Sequence, residues 1–303
     1  MSILARINRW KYRLLGTGFA ALLIGLTVRT YRARAADAAL VDAVKRGDQF
    51  RVTELLGRGA APNVRELTEK PAGNFLSNML MWAKPQKEGR GLLQIAFMDL
   101  NVDSVRNEIL EKLILAGANP NGTDGKDHGY PLRAAASEES LNLMSFLLDH
   151  GARVNLQNEG GETALMYAAR YGSLGSVRLL LARKADPNMR DHQDQSPLDK
   201  AVATLGYPED RQCEIVRELL EHGADPNCKN ARGESPLELA IKRGTPNDSQ
   251  SGLLRTLLDH GADPNQRVST SPDMTLIAWA GKMGRSDVVG LLREHDKRPA
   301  PAD

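Results

Sequence analysis

The sequence predicts an all-α solenoid of stacked helix-turn-helix units with β-turn fingers, preceded by an N-terminal membrane helix. Three observations lead there. First, "LLDHGADPN" at 257–265 returns as "LLEHGADPN" at 219–227, "LLARKADPN" at 180–188, "LLDHGARVN" at 147–155, "LILAGANPN" at 113–121 and "LLGRGAAPN" at 55–63. Second, another phrase recurs in step with it: "GETALMYAA" at 161–169, "DQSPLDKAV" at 194–202, "GESPLELAI" at 233–241 and "HGYPLRAAA" at 128–136. Third, the chain is 41% hydrophobic but only 5% aromatic, so its core must be built from Leu, Ala, Ile and Val. Self-similarity at a fixed spacing marks a repeat architecture, and small core residues suit closely stacked helices.

Residues 1–13 form a basic N-terminal region. Between positions 1 and 35 stand Arg6, Arg9, Lys11, Arg13, Arg29, Arg32 and Arg34 and no acid. The rest of the chain holds 33 Lys and Arg against 38 Asp and Glu. A mildly acidic body lacks the concentrated basic face that phosphate neutralisation requires, so no nucleic-acid partner is expected.

Residues 14–31 are read as a transmembrane anchor or signal segment. The uncharged run "LLGTGFAALLIGLTV" at 14–28 is short for a span by itself, since a ~30 Å hydrocarbon core needs about 20 helical residues. Extending it from Tyr12 to Tyr31 supplies that length, with Arg13 and Arg29 snorkelling outward and Trp10, Tyr12 and Tyr31 at the interfaces. A cleaved signal peptide competes: Ala33-Arg34-Ala35 has the small-x-small form of a cleavage site. Positive charge just after the run resists translocation, which favours the anchor. The small excess of bases before the span places the N-terminus in the cytoplasm and the repeats outside it. The expectation is a single-pass membrane protein, monomeric, with an extracytoplasmic body.

The matched alanines of the second phrase are Ala43, Ala96, Ala135, Ala168, Ala201, Ala240 and Ala280, separated by 53, 39, 33, 33, 39 and 40 residues. The base period is 33. Thr or Ser before the helix caps its free N–H groups, and Pro tolerates the first turn. Leu165 and Ala168 then share a face, and the small Ala admits a close neighbour. After a turn at Gly172, a second helix turns Val177, Leu180 and Leu181 inward. Gly151, Gly223 and Gly261 end such helices in the left-handed conformation that suits glycine. Lys184 stands where that glycine belongs, at some local cost. Asp-Pro-Asn leads into a polar turn.

These residues resemble the ankyrin repeat, a 33-residue unit of a β-turn and two antiparallel helices with a T-P-L-H-x-A signature. Ser235-Pro236-Leu237-Glu238-Leu239-Ala240 and Ser196-Pro197-Leu198-Asp199-Lys200-Ala201 match it except at the signature His. The resemblance covers residues 37–296 as seven units in one array, followed by a tail at 297–303. Helix-to-helix loops are expected to be lengthened at 98–105, 203–210 and 244–251. The resemblance implies a protein partner held by variable positions of the turn and first-helix end: Gln157, Glu159, Glu162, Arg170 and Tyr171, then Arg190, His192 and Gln195, then Lys229, Arg232, Glu234 and Lys242.

The insert at 66–91 departs most from the pattern. Phe75, Met79 and Trp82 form one stripe of a short helix bounded by Pro71 and by Lys84-Pro85. The stripe either caps the first two units or docks a partner or the membrane surface. A catalytic role for the insert would rest on Glu66, Glu69, Lys70, Lys84 and Glu88, with no His or Cys among them. No phosphate loop, HExxH, GxSxG or CxxC occurs. His150, His222 and His260 sit in equivalent places in separate units, too far apart for one metal. Cys213 and Cys228 lie at opposite ends of a helix and its outgoing loop, beyond disulfide reach. The expectation is therefore no cofactor, no metal and no catalysis. A membrane-tethered interaction module fits best, and an exported, dedicated binding or immunity-type inhibitor of one partner is the alternative.

Overall fold

A computed structural model describes residues 33, 35–66, 90–122, 130–204, 208–243 and 251–296. The segments expected at 1–13, 14–31 and 297–303, and the stripe Phe75, Met79 and Trp82, lie outside them. Among the described residues no helix is long and apolar enough to cross a membrane. The chain divides into two compact bodies, Met1–Asn119 and Pro120–Asp303.

The N-terminal body holds α1 (35–46), α2 (Gln49–Gly57), α3 (Leu92–Asp99) and α4 (Asp103–Leu115). Asp48 starts α2 by accepting a hydrogen bond from the Arg51 N–H at 2.9 Å. Leu40, Ala43, Val44, Val52, Ile95, Ala96, Ile109, Leu110 and Leu113 are fully buried and make the core. The insert leaves and re-enters through a closed neck. Arg65 bridges Gly91, and the Glu66 N–H donates to the Arg90 carbonyl at 2.9 Å. The Glu66 carboxylate also takes Lys45 and, at 3.0 Å, Arg90.

The lengthened loop expected at 98–105 is corrected. Only residues 100–102 separate α3 from α4, and the extra residues extend α4 to 13 residues against nine in α2. Asp103 favours this turn: it lies at the positive helix end and accepts from Arg106 three residues on at 2.6 Å. The other two connections are longer. They run from Ala203 to Glu209 and from Arg243 to Ser251.

The C-terminal body contains α5 (Tyr130–Ser137), α6 (Leu141–Asp149), α7 (Ala164–Tyr171), α8 (Leu174–Ala182), α9 (Pro197–Ala203), α10 (Glu209–Glu221), α11 (Pro236–Arg243) and α12 (Ser251–Asp259). A hairpin of β1 (Arg267–Val268) and β2 (Ser271–Thr275) then precedes α13 (Leu276–Lys282) and α14 (Ser286–Asp296). The two strands pair antiparallel, Arg267 opposite Thr275 and Val268 opposite Ser271. The first helices α5, α7, α9 and α11 pack in a row. The second helices α6, α8, α10, α12 and α14 make a parallel row behind them.

Local sequence explains several starts and stops. Thr163, Ser196 and Thr275 cap α7, α9 and α13 with their hydroxyls, and Pro197 takes the first position of α9. The signature alanines from Ala135 to Ala280 are at most 1% exposed, so neighbouring helices meet across a methyl. Gly151, Gly223 and Gly261 follow the second helices with φ of 95°, 87° and 91°. Lys184 adopts φ 67° in the same place, the strain expected of a side chain there.

The recurrent Asn has a purpose the sequence does not display. The Asn188 amide donates to the Gly223 carbonyl at 2.8 Å, and its oxygen accepts from the Asp225 N–H at 2.9 Å. Asn121 makes the same pair of bonds to Gly151 and Arg153, as does Asn227 to Gly261 and Asp263. In the N-terminal body Asn63 does so to Gly117 and Asn119. Each Asn thus ties its repeat to the next by satisfying backbone groups that a helix end leaves open.

Candidate functional site

The fingers before α7, α9 and α11 and the ends of these helices carry the residues expected to meet a partner. Each finger is a tight turn held by one side chain. Asn158 Oδ1 accepts from the Gly160 and Glu162 N–H groups. Asp191 Oδ1 accepts from those of Gln193 and Gln195, and Asn230 Oδ1 from those of Arg232 and Glu234. Adjacent fingers touch closely. A Cβ on Gly161 (φ 76°) would lie 2.9 Å from the Asp191 Cα and the His192 nitrogen, so only glycine fits there.

Behind the fingers lies a chain of charges. Glu162 pairs with Arg170 and, at 3.4 Å, with Lys200. The Lys200 ammonium is 2.5 Å from Asp191 and donates to Gln195 at 2.7 Å. Burial pushes the Glu162 carboxyl up, but Arg170 and Lys200 outweigh it and hold it below the ordinary Glu range. Asp191 behaves alike: burial raises its pKa, and Lys200 with two backbone N–H groups brings it below the usual value.

One repeat later, Lys242 lies 2.6 Å from Glu234 and 2.9 Å from Glu238. Glu238 stands at the signature His position and accepts from the Ser269 hydroxyl at 2.6 Å. Burial lowers the Lys242 pKa, and the two carboxylates more than restore it.

The expected contact residues therefore split. Glu162, Arg170, Gln195, Glu234 and Lys242 are engaged in internal bonds, and Glu234 is buried. Gln157 ties two fingers by donating to the carbonyls of Gly161 and Arg190. Arg190 is exposed yet donates to the Lys229 carbonyl at 2.7 Å. Glu159, Tyr171, His192, Lys229 and Arg232 are exposed. Tyr171 stacks on Tyr167, whose ring lies between the guanidinium groups of Arg133 and Arg170.

Asp191, Asp199, Lys200 and Glu238 are central here, yet sequence reasoning did not select them. Their signal was present for Asp199 and Glu238, which replace the signature His. Lys200 carried a weaker one, a charge on an otherwise apolar face.

The cysteines and the equivalent histidines of separate repeats hold structural positions. Cys228 is 4% exposed, with Ser196 Oγ at 3.5 Å and Asp199 Oδ2 at 3.7 Å. Burial and the nearby Asp199 charge push its thiol up to about 12, so no thiolate forms at neutral pH. Cys213 is likewise free and buried. His150, His222 and His260 each place Nδ1 2.8 Å from the carbonyl four residues back, closing a helix end. Among the described residues no group of His, Cys, Asp and Glu is arranged for a metal.

Comparison with known proteins agrees with this architecture. The family described as ankyrin repeats matches residues 93–191 and 201–303, more than half of the chain, in three copies. An ankyrin repeat protein of Acanthamoeba polyphaga mimivirus is 34% identical over 94 residues, 30% of this chain and 58% of that protein. The B-cell lymphoma 3 protein homolog of Mus musculus is 34% identical over 111 residues, 37% of this chain and 24% of its own length. The E3 ubiquitin-protein ligase KEG of Arabidopsis thaliana is 28% identical over 109 residues, 36% of this chain and 7% of its own. In each case the similarity spans less than two thirds of the relative. From the recurring helix pairs, their asparagine ties and a family match over most of both rows, this chain belongs to the ankyrin-repeat family.

Proposed function

We propose that this chain is a membrane-tethered protein-interaction module of seven repeats that acts by binding rather than catalysis. Ankyrin-repeat proteins generally mediate protein–protein interaction, and the family is typically a non-enzymatic binding module. One observation supports the reading most. Glu159, Tyr171, His192, Lys229 and Arg232 are exposed on three consecutive repeats, while the side chains behind them are fixed by buried and half-buried hydrogen bonds and ion pairs. A surface held rigid before contact loses little conformational entropy on binding. The tether rests on the uncharged run at 14–28 with its aromatic and arginine flanks. We further propose that the protein is monomeric and that its repeats lie outside the cytoplasm.

A second reading keeps the binding surface but removes the anchor. Ala33-Arg34-Ala35 would then be a cleavage site and the chain an exported inhibitor of one partner. Fractionation with intact-mass measurement separates the two. The tethered reading expects a membrane-bound product that retains residues 14–31, and a soluble product beginning at Ala36 would refute it. The binding reading is tested by affinity capture with detergent-solubilised full chain, wild type against the joint alanine variant of Glu159, His192, Lys229 and Arg232. Partners lost only from the variant support it. Partners retained equally by both refute a finger site.

A further inference from the structure

A charge relation joins two positions in α7 and α11 and is half kept in α13. The residue directly before the helix cap is Glu162 in α7, Gln195 in α9, Glu234 in α11 and Met274 in α13. Seven positions after the cap stand Arg170, Ala203, Lys242 and Lys282. Glu162 pairs with Arg170 and Glu234 with Lys242, so the two positions face each other. Before α9 both charges are absent together. Of these four, only α13 keeps the cation, Lys282, while an apolar residue, Met274, stands at the position before the cap.

The surroundings suit a ligand from outside. Among the described residues no carboxylate pairs with Lys282, which is exposed. Trp279 is half-buried with the Lys242 ammonium 5.8 Å from its ring centre, and Met283 is 39% exposed. Glu234 and Glu238, the nearby acids of α11 and its finger, are buried and committed to Lys242, Asn230 and Ser269. Trp279, Lys282 and Met283 fall at i, i+3 and i+4 along α13 and its cap, so the patch presents a cation with no ion pair among the described residues beside an aromatic ring and a thioether. An aromatic flanked by Met is a common anchor for a partner's apolar side chain.

We propose that Trp279, Lys282 and Met283 dock an acidic segment of a partner protein. The partner's carboxylate takes the place beside Lys282 that Glu162 and Glu234 hold in the earlier repeats. An apolar side chain of the same segment rests on Trp279 and Met283. This deepens the interaction reading above and depends on it.

The test uses full-length chain in detergent and a phage-displayed library of random peptides. The selected consensus is then synthesised with a fluorescent label and titrated by anisotropy. The consensus should contain Asp or Glu beside an apolar residue. Lys282→Glu should weaken binding by about tenfold or more, and a peptide with its acid changed to Lys should recover it. Met274→Glu rebuilds the internal pair already tolerated at Glu234, so it should weaken binding comparably while the melting temperature holds. Raising the salt concentration should weaken binding further. Peptides that are not acidic, or that bind Lys282→Glu and Met274→Glu like wild type yet lose affinity to the finger variant, overturn this site and leave the interaction reading standing. If no peptide binds wild-type chain, both fail.

Discussion

The side-chain amide of Asn227 bridges to the next repeat, donating to the Gly261 carbonyl at 2.9 Å while its oxygen accepts from the Asp263 N–H at 2.8 Å. The relation explains why the phrase ending in Asn recurs. A helix end leaves carbonyl and N–H groups unpaired, and a planar amide offers one donor and one acceptor at the right separation. Aspartate would keep the acceptor but present an anion to a carbonyl.

Replacement of Asn188 by Ala should therefore lower stability by about 1–2 kcal/mol, the worth of two exposed hydrogen bonds between repeats. Asn188→Asp should cost a similar amount, because the bond to Gly223 is lost. Urea unfolding of the three proteins at pH 7 decides it. An unchanged Asn188→Ala midpoint would show that apolar packing alone joins these repeats.

Lys184→Gly should raise stability by about 0.5–1 kcal/mol, since glycine meets no penalty at positive φ. The side chain is exposed and, among the described residues, makes no bond that the change would remove. Thermal unfolding provides the readout. A drop in midpoint would mean that Lys184 contributes a contact outweighing its strain.

Asp199 sets a pH dependence of opposite sign to the usual carboxylate. It is 0% exposed, and Oδ1 has no hydrogen-bond partner. Burial raises its pKa above the ordinary 3.8, against the lowering by Ser196 and Cys228. A folded-state pKa above the unfolded one favours folding at low pH, and the contribution fades as pH climbs through the folded value. Asp199→Asn keeps an oxygen for Ser196 and cannot ionise. The stability of wild type relative to this variant should fall as pH rises through the range above the ordinary 3.8. A flat difference across that range would contradict the assignment.

Substituting a short Gly-Ser loop for residues 68–89 should leave the N-terminal body folded. The neck is closed by Arg65 with Gly91 and by Glu66 with Arg90, all of which the change retains. Shortening a connection whose ends are already held together alters closure entropy only slowly with length. Circular dichroism and melting measure the outcome. A collapsed transition would identify the insert as a structural cap.

Much of the helical stack was legible in the sequence, because periodic Leu and Ala, hydroxyl caps and terminal glycines each act within one repeat. The asparagine ties were not. The sequence shows Asn188 leading into a polar turn, but Gly223 comes close only when two repeats stack. Residues 98–105 misled for a related reason: extra residues read as loop became the first turn of α4, with Asp103 and Arg106 supporting it. At the candidate surface, the positions were readable from the repeat register. The pairs Glu162–Arg170 and Glu234–Lys242 were hidden, because each joins a finger to a helix end eight residues away rather than one helix turn. Lys200 was hidden further, since Asp191 reaches it from the preceding finger.

The central claim is that a partner protein is held by the fingers and first helices of the C-terminal body. Site-specific photo-crosslinking in cells tests it most directly. A crosslinking residue is placed in the full-length chain at His192 or Arg232 on the fingers, or at exposed Arg217 on the outer helix α10. The account predicts one discrete crosslinked species from His192 and Arg232 and none from Arg217. Crosslinks from Arg217 with none from the fingers would contradict it.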